Sequence, residues 1–541
     1  MEGDALRPVS RRALGALVAA GALLRLWQYA GNTSLWLDEI ALAENILHRP
    51  LGKLLFTPLD LDQVAPPGFL LLVKSAVMLL GPSDLVLRLV PLLCSLASLG
   101  LFVRLARRVL AGWTALFATG LFAVGVPLIL YAAEVKQYSG DVAASVLLTL
   151  LALDLTEGAS AVRFFATGLI GLLVVFFSQA AVFMLAGLAL ALVIRAFMER
   201  ARAGQWRRLA WALVPWGAGL CAATIVGRRS MTPVMRAELY RFWSTGFWPL
   251  PPRSPGQLLW LPRTLRGFWG QSLFQYPGSV LYLALMLLGF WAIWRRRVDV
   301  ALLLLGPFAV MLGASAARLY PFSGRLLLCL SPAFLLAAAE GLGFLAGRLR
   351  VPAAAAVGLL ALPPLFALAE NRPVHLHEET RPMLAYVAAR RQPQDAIYVY
   401  YGAELAFRYY GPRFGLEPAM ASFGACHREE PRAYLREIDL FRGRPRLWVI
   451  FAHDVPSLGE EALILEYLRR IGIRREGITV PEGDPHAVAA ELYDLSIPER
   501  LARASSDAFP VPQPDIGLAR RLGCGSRALA RRSGAQPLQF P

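Results

Sequence analysis

A polytopic α-helical membrane protein carrying a soluble C-terminal α/β domain is the fold class this sequence predicts, on three observations. The chain has 541 residues, 56% of them hydrophobic, with a mean hydropathy of +0.49, which is too apolar for an ordinary soluble domain. Its apolar runs recur at the ~17–25 residues needed to cross a bilayer. Arginines gather in short bursts between those runs, so the net charge of +17 reads as membrane topology and not as a nucleic-acid-binding stripe.

The first apolar stretch, 13–30, follows Arg7, Arg11 and Arg12 as the core of a secretory signal would, but no small-x-small cleavage site follows it. It reads as an uncleaved first helix with a cytoplasmic N-terminus. The span 85–103 then descends into Arg104, Arg107 and Arg108, and 113–130 rises to a turn around Glu134. After 142–155 descends, the next span rises to Ser178 and Gln179, and another descends into Arg195, Arg200, Arg202, Arg207 and Arg208. A rise over 209–226, a descent into Arg295, Arg296 and Arg297, a rise to Arg318, a descent into Arg348 and Arg350 and a last rise to Ala369 complete the series. About eleven spans place every burst inside and the C-terminal domain outside. The spare segment 66–81, short and carrying Lys74, reads as a half-buried helix at the outer interface, because a twelfth span there would invert everything after it.

The expected units are a transmembrane domain over 1–369 with outer loops 31–81, 131–141 and 227–278, a soluble α/β unit over 370–497, and a basic, unstructured tail over 498–541. The last outer loop interleaves Phe242, Trp243, Phe247, Trp248, Trp260, Phe268, Trp269 and Phe274 with Arg236, Arg241, Arg253, Arg263 and Arg266, a composition suited to helices in a headgroup layer. It serves either as an aromatic anchor or as a lip that guides a lipid tail. Cys94, Cys221 and Cys329 sit in apolar spans, whereas Cys426 and Cys524 both fall outside, where a disulfide between them would persist. His375, His377, Glu378 and Glu379 read as a solvated linker, and Gly341, Gly343 and Gly347 lack the preceding strand that a nucleotide loop needs.

Chemistry is expected where polar groups gather at one membrane face. Asp38 and Glu39 follow the interfacial Trp36, and Glu134 opens the turn YAAEVKQYSGD. At helical spacing Tyr131, Glu134, Tyr138 and Asp141 share a face, with Lys136 pointing elsewhere. Acids from two loops can bracket a substrate or a divalent cation, with Asp38 and Glu134 the candidate ligands and Mg, Mn, Ca and Zn not distinguished. Arg88 and Arg325 stand at span ends where a planar guanidinium suits a phosphate; for Arg88 the alternative is an intrahelical pair with Asp84. Trp36, Tyr131, Tyr138 and Tyr320 are expected to line the substrate.

WLDEIALAENI resembles the WxDE signature in the first outer loop of the GT-C superfamily of polyprenyl-phosphate-sugar-dependent glycosyltransferases, which includes protein mannosyltransferases and lipid A aminoarabinose transferases. QVAPPGFLLLVK, LVLRLVPLL and YAAEVKQYSGD extend the likeness in order over 1–154, with Lys136 standing where arginine is commoner, and YPFSGR matches moderately. The resemblance implies a GT-C-type fold in a bacterial inner membrane and an inverting transfer. In that transfer Asp38 acts as general base, Glu39 and Glu134 assist, and Arg88, Lys136 and Arg325 neutralise the departing phosphate. The implied partners are a polyprenyl-phosphate-linked sugar and a hydroxyl acceptor on an envelope glycan, lipid or protein. The competing class, a transporter or lipid flippase, would place ionisable groups near the bilayer midplane, whereas these acids lie at one face. A non-catalytic scaffold leaves the acid pair unexplained.

Overall fold

The computed structural model describes residues 11–371, 374, 376, 378–484, 487–513, 515–522 and 524. The membrane part runs through α1 (Arg11–Ala30), α2 (Leu37–His48), α3 (Leu51–Phe56), α4 (Pro67–Leu80), α5 (Asp84–Val109), α6 (Trp113–Val124), α7 (Val126–Leu130), α8 (Tyr138–Thr156), α9 (Ala161–Val174), α10 (Ala181–Met198) and α11 (Ala203–Arg229). Short helices α12 (Pro233–Phe242), α13 (Pro255–Leu258) and α14 (Trp260–Trp269) lead to α15 (Ser279–Arg296), α16 (Val298–Ala316), α17 (Ser331–Leu349) and α18 (Ala353–Glu370).

Among the described residues, nine helical segments are long and apolar enough to cross a membrane, and a tenth is the pair formed by α6 with the stretch 126–133, bent by 56°. The expected fifth span, the one rising to Ser178 and Gln179, corresponds to α9, whose 14 residues rise only about 21 Å, less than a hydrocarbon core of ~30 Å. The spare segment forms α4, also of 14 residues. Lys74 ties α4 to the end of α2, donating to the Ile46 and Leu47 carbonyls at 2.6 and 3.1 Å. Met78, Leu79 and Leu80 at its far end are exposed, as suits a helix lying against lipid.

The bend after α6 has a cause in the sequence. Pro127 has no N–H to give the Ala123 carbonyl four residues back, and α1 supplies one instead. The fully buried Arg25 donates to the carbonyls of Ala123 (3.0 Å), Phe122 (3.1 Å) and Gly21 (2.8 Å) and to Ser95 Oγ (2.9 Å). A buried charge in a span is thus used to satisfy backbone that lipid cannot. Arg25→Met is expected to lower stability by about 2–3 kcal/mol through the orphaned carbonyls. Thermal unfolding in detergent reads this directly, and an unchanged midpoint would show that the bend does not need Arg25.

Glycines set the closest helix crossings. A methyl on Gly289 would overlap the Ala337 carbonyl, and one on Gly341 the Leu285 carbonyl, so α15 and α17 meet backbone to backbone. This gives Gly341 its purpose. Gly187 and Gly306 play the same part between α10 and α16. The aromatic outer loop divides: Phe242 is exposed, whereas Phe268, Trp269 and Phe274 are buried, with Trp269 stacked on Tyr282 at 5.3 Å. Those three belong to the core, and Trp248 and Trp260 pack against it.

The C-terminal unit comprises α19 (Thr380–Arg390), β1 (Ala396–Val399), α20 (Glu404–Tyr410), β2 (Ser422–Phe423), α21 (Arg432–Asp439), β3 (Leu447–Phe451), α22 (Glu460–Ile471), β4 (Ile473–Val480), β5 (Val488–Asp494), α23 (Pro498–Leu501) and α24 (Ile516–Leu522). Its five-stranded sheet has the order β2-β1-β3-β5-β4, parallel from β2 to β3 and antiparallel beyond. Period-two alternation divides the strands between two cores. Tyr398, Tyr400, Leu447, Val449 and Phe451 face α21 and α22. Ile397, Val399, Trp448 and Ile450 join α19 and α20 in a core continuous with Ile40, Leu42 and Ile46 of α2 and with Phe69, Leu70 and Val73 of α4. The soluble unit is therefore packed directly onto the first outer loop.

The expectation of an unstructured tail from Pro498 is corrected over its first part. Arg442 donates to the Leu501 and Ala504 carbonyls at 2.8 and 2.6 Å, Arg432 to that of Ser506 at 2.7 Å, and Phe509 is buried. Cys426 and Cys524 form a disulfide with a Cα–Cα separation of 5.7 Å. Residues 525–541 lie outside the described residues, as do His375 and His377.

Candidate active site

Adjacent positions on a helix point about 100° apart, and at the start of α2 that separation gives two neighbouring acids different fates. Glu39 turns inward. Its side chain is 1% exposed and pairs with Arg88 of α5, Oε2 to Nη2 at 2.6 Å and Oε1 to Nε at 2.9 Å. The same carboxylate accepts the Val135 N–H at 2.8 Å and the Trp36 N–H at 3.3 Å. Arg88 spends its remaining donors on the carbonyls of Thr33 (2.7 Å) and Ser34 (3.3 Å). The pair ties both outer loops to α5, and Arg88 has no donor left for a phosphate. Nor does Arg88 pair with Asp84, which accepts from Tyr410 (2.8 Å) and Arg413 (3.3 Å) of the soluble unit.

Asp38 turns the other way and keeps its side chain 28% exposed. Arg325 Nη2 donates to its Oδ2 at 2.7 Å, and Lys136 Nζ lies 4.0 Å from the same oxygen. The Arg325 guanidinium lies between the Trp36 and Tyr138 rings, 5.6 and 5.7 Å from their centroids, and Tyr131 packs on Tyr138 at 4.9 Å. Its Nε has no partner among the described residues. Lys136 is turned into the site and held by Gln63 Oε1 at 2.7 Å, contrary to the expectation that it points elsewhere. That expectation assumed an unbroken helix, but the chain forms a 3₁₀ turn at Tyr131–Ala133, is extended at Glu134 and starts α8 only at Tyr138. For the same reason Asp141 does not join Glu134; it accepts a 2.5 Å bond from Ser178 Oγ. Tyr320 packs on Phe183 at 4.5 Å.

Electrostatics separates the acids further. Burial pushes the Asp38 carboxyl up, but Lys136, Arg325 and His453 more than offset it, and the net displacement is below the usual carboxylate range. For Glu134, burial and then the negative charge of Glu39 push the carboxyl up to about 8, against the pull of Arg325, Arg88 and Lys136. One Glu134 oxygen is buried without a hydrogen-bond partner among the described residues. Burial also holds Lys136 below its ordinary value, with Asp38 opposing. A divalent cation between Asp38 and Glu134 does not suit this setting, because Asp38 already faces Arg325 and Lys136. Among the described residues no three His, Cys, Asp or Glu side chains gather as a metal site.

Two groups escaped the sequence reading. His453, just beyond the end of β3, has its ring centroid 6.4 Å from that of Trp36, and its Nδ1 is 2.9 Å from Glu378 Oε1. Glu378, expected as solvated linker, is buried, and its neighbour Glu379 accepts the Ser34 N–H at 3.1 Å. The available signal was that ligand crevices form beyond the carboxyl ends of parallel strands, and FAHDV follows such a strand. A cavity of about 320 Å³ is lined by Trp260, Arg263, Thr264, Phe268, Ser323 and Gly324, with Asp38, Lys136 and Arg325 outside its lining.

Fold and site together define a multi-pass α-helical membrane protein with a carboxylate and two cationic side chains gathered at one end of its helices. No family model and no curated protein matches the chain. Among solved structures it is similar to ArnT from Cupriavidus metallidurans in the apo state, at 14% identity and a TM-score of 0.49, over 92% of this chain and 100% of that one. The same protein bound to undecaprenyl phosphate gives 14% identity and a TM-score of 0.49, over 90% and 99%.

Proposed function

We propose that the protein is an inverting glycosyltransferase that moves a sugar from a polyprenyl-phosphate donor to a hydroxyl acceptor at the outer face of a bacterial cytoplasmic membrane. The observation that carries this reading is Asp38, ionised and half-buried, with Arg325 at 2.7 Å and Lys136 at 4.0 Å. A base and a phosphate-binding pair are what the reaction needs. The acceptor oxygen attacks the anomeric carbon and its proton passes to the Asp38 carboxylate, while the carbon–oxygen bond to phosphate breaks. Arg325 and Lys136 stabilise the charge that develops on the departing phosphate. Because phosphate leaves readily, no second carboxylic acid is required, and Glu39 and Arg88 serve as the brace beneath the site.

The Cys426–Cys524 disulfide supports an oxidising location for the soluble unit. Mixing the purified protein with a polyprenyl-phosphate-linked sugar and a hydroxyl acceptor is expected to release free polyprenyl phosphate; donor carried across the bilayer intact would favour a flippase instead. Arg325→Gln is expected to raise the donor KM about tenfold, the loss of one charge-assisted hydrogen bond. An unmoved KM would remove Arg325 from the phosphate site.

A further inference from the structure

We infer that the soluble unit completes the catalytic cleft, with His453, braced by Glu378 and packed on Trp36, acting as a positioning residue that holds Asp38 charged and oriented; this rests on the transferase reading. The backbone at His453 lies in the left-handed region, φ 54°, which is strained for a non-glycine residue and persists only where the surroundings hold it. What holds it is visible. The Glu378 side chain, 6% exposed, accepts from Nδ1 at 2.9 Å, and an ionised carboxylate can only accept. The imidazole then rests on Trp36, whose ring also carries the Arg325 guanidinium that grips Asp38.

The docking is redundant around the loop that carries Asp38. Glu379 binds the Ser34 N–H, Tyr410 Oη accepts the Leu35 N–H at 2.7 Å, and His453 covers Trp36, so consecutive residues of this loop are fixed by the soluble unit. The charged groups facing His453 are Glu378 before α19, Asp38 on α2 and Arg428 after β2. Burial and Arg428 lower the imidazole, and Glu378 followed by Asp38 outweighs them, so the ring keeps its proton to higher pH than a free imidazole. When protonated, His453 is a third cationic neighbour of Asp38, contributed from outside the membrane part.

The coupling can be read without turnover. In full-length ¹⁵N-histidine-labelled protein, with the His453 signal assigned by loss in His453→Gln, the His453 titration midpoint is expected to fall in Asp38→Asn. A midpoint that Asp38→Asn leaves in place overturns the inference. In the transfer assay, His453→Gln is expected to lower kcat about tenfold, leave the donor KM unchanged and flatten the alkaline limb of the pH profile. Unchanged kcat and pH profile would equally overturn it. A wild-type protein that turns over no donor would defeat the transferase reading, while the titration would still decide whether His453 and Asp38 are coupled.

Discussion

Asp38→Asn is expected to lower kcat for sugar transfer by about 10²–10⁴, the usual contribution of a positioned base, while polyprenyl phosphate still binds. The substitution is nearly isosteric and leaves Arg325 and Lys136 in place, so the phosphate subsite keeps its donors. What is lost is the group that takes the acceptor proton. The base must also be ionised before the acceptor arrives, and Lys136, Arg325 and His453 hold Asp38 in that form despite burial. Since the displacement is downward, the carboxylate should stay ionised across the neutral range, and the acid limb of kcat should fall below the ordinary carboxylate pKa. Single-turnover measurement of polyprenyl phosphate release separates chemistry from binding, and near-normal release by the Asn variant would remove Asp38 from the base role.

The neighbouring acid should behave differently. Glu39→Ala is expected to destabilise the protein by about 3–5 kcal/mol, because it strands the Arg88 charge where the guanidinium is 3% exposed. It also removes the acceptor for the Val135 and Trp36 N–H groups, so both outer loops lose their common anchor. The effect should appear as a large fall in the unfolding midpoint in detergent together with lost activity. The double variant Glu39→Ala, Arg88→Met is expected to regain part of that stability, since no charge is then buried alone. A Glu39→Ala protein as stable as wild type but inactive would return Glu39 to a catalytic role.

Much of the molecule was legible in its sequence. Span lengths and arginine bursts announce the membrane part, because the hydrocarbon thickness sets how many apolar residues a crossing helix needs. Trp36, Asp38 and Glu39 at the edge of the first span marked the site, and the change to short apolar runs after the last span marked the soluble α/β unit. The failures share one origin, the use of local spacing where distant contacts decide. Helical spacing placed Tyr131, Glu134, Tyr138 and Asp141 on one face, but the chain is extended at Glu134, which turns Lys136 toward Gln63 and Asp38. Four-residue spacing suggested an Asp84–Arg88 pair, yet each found a partner elsewhere, Arg88 in Glu39 and Asp84 in Tyr410 and Arg413.

By itself the sequence determined a bundle of apolar helices, the position of an acidic pair where the first of them ends, and a soluble α/β unit after the last. Only the tertiary structure decided which acid is buried as a brace and which is offered to a substrate, and that His453 belongs beside it. The physical reason is that a carboxylate's role depends on what surrounds it. For Glu39 that is an arginine 49 residues away, and the loop carrying Asp38 is held by Glu379, 345 residues from Ser34. No local pattern carries contacts of that range.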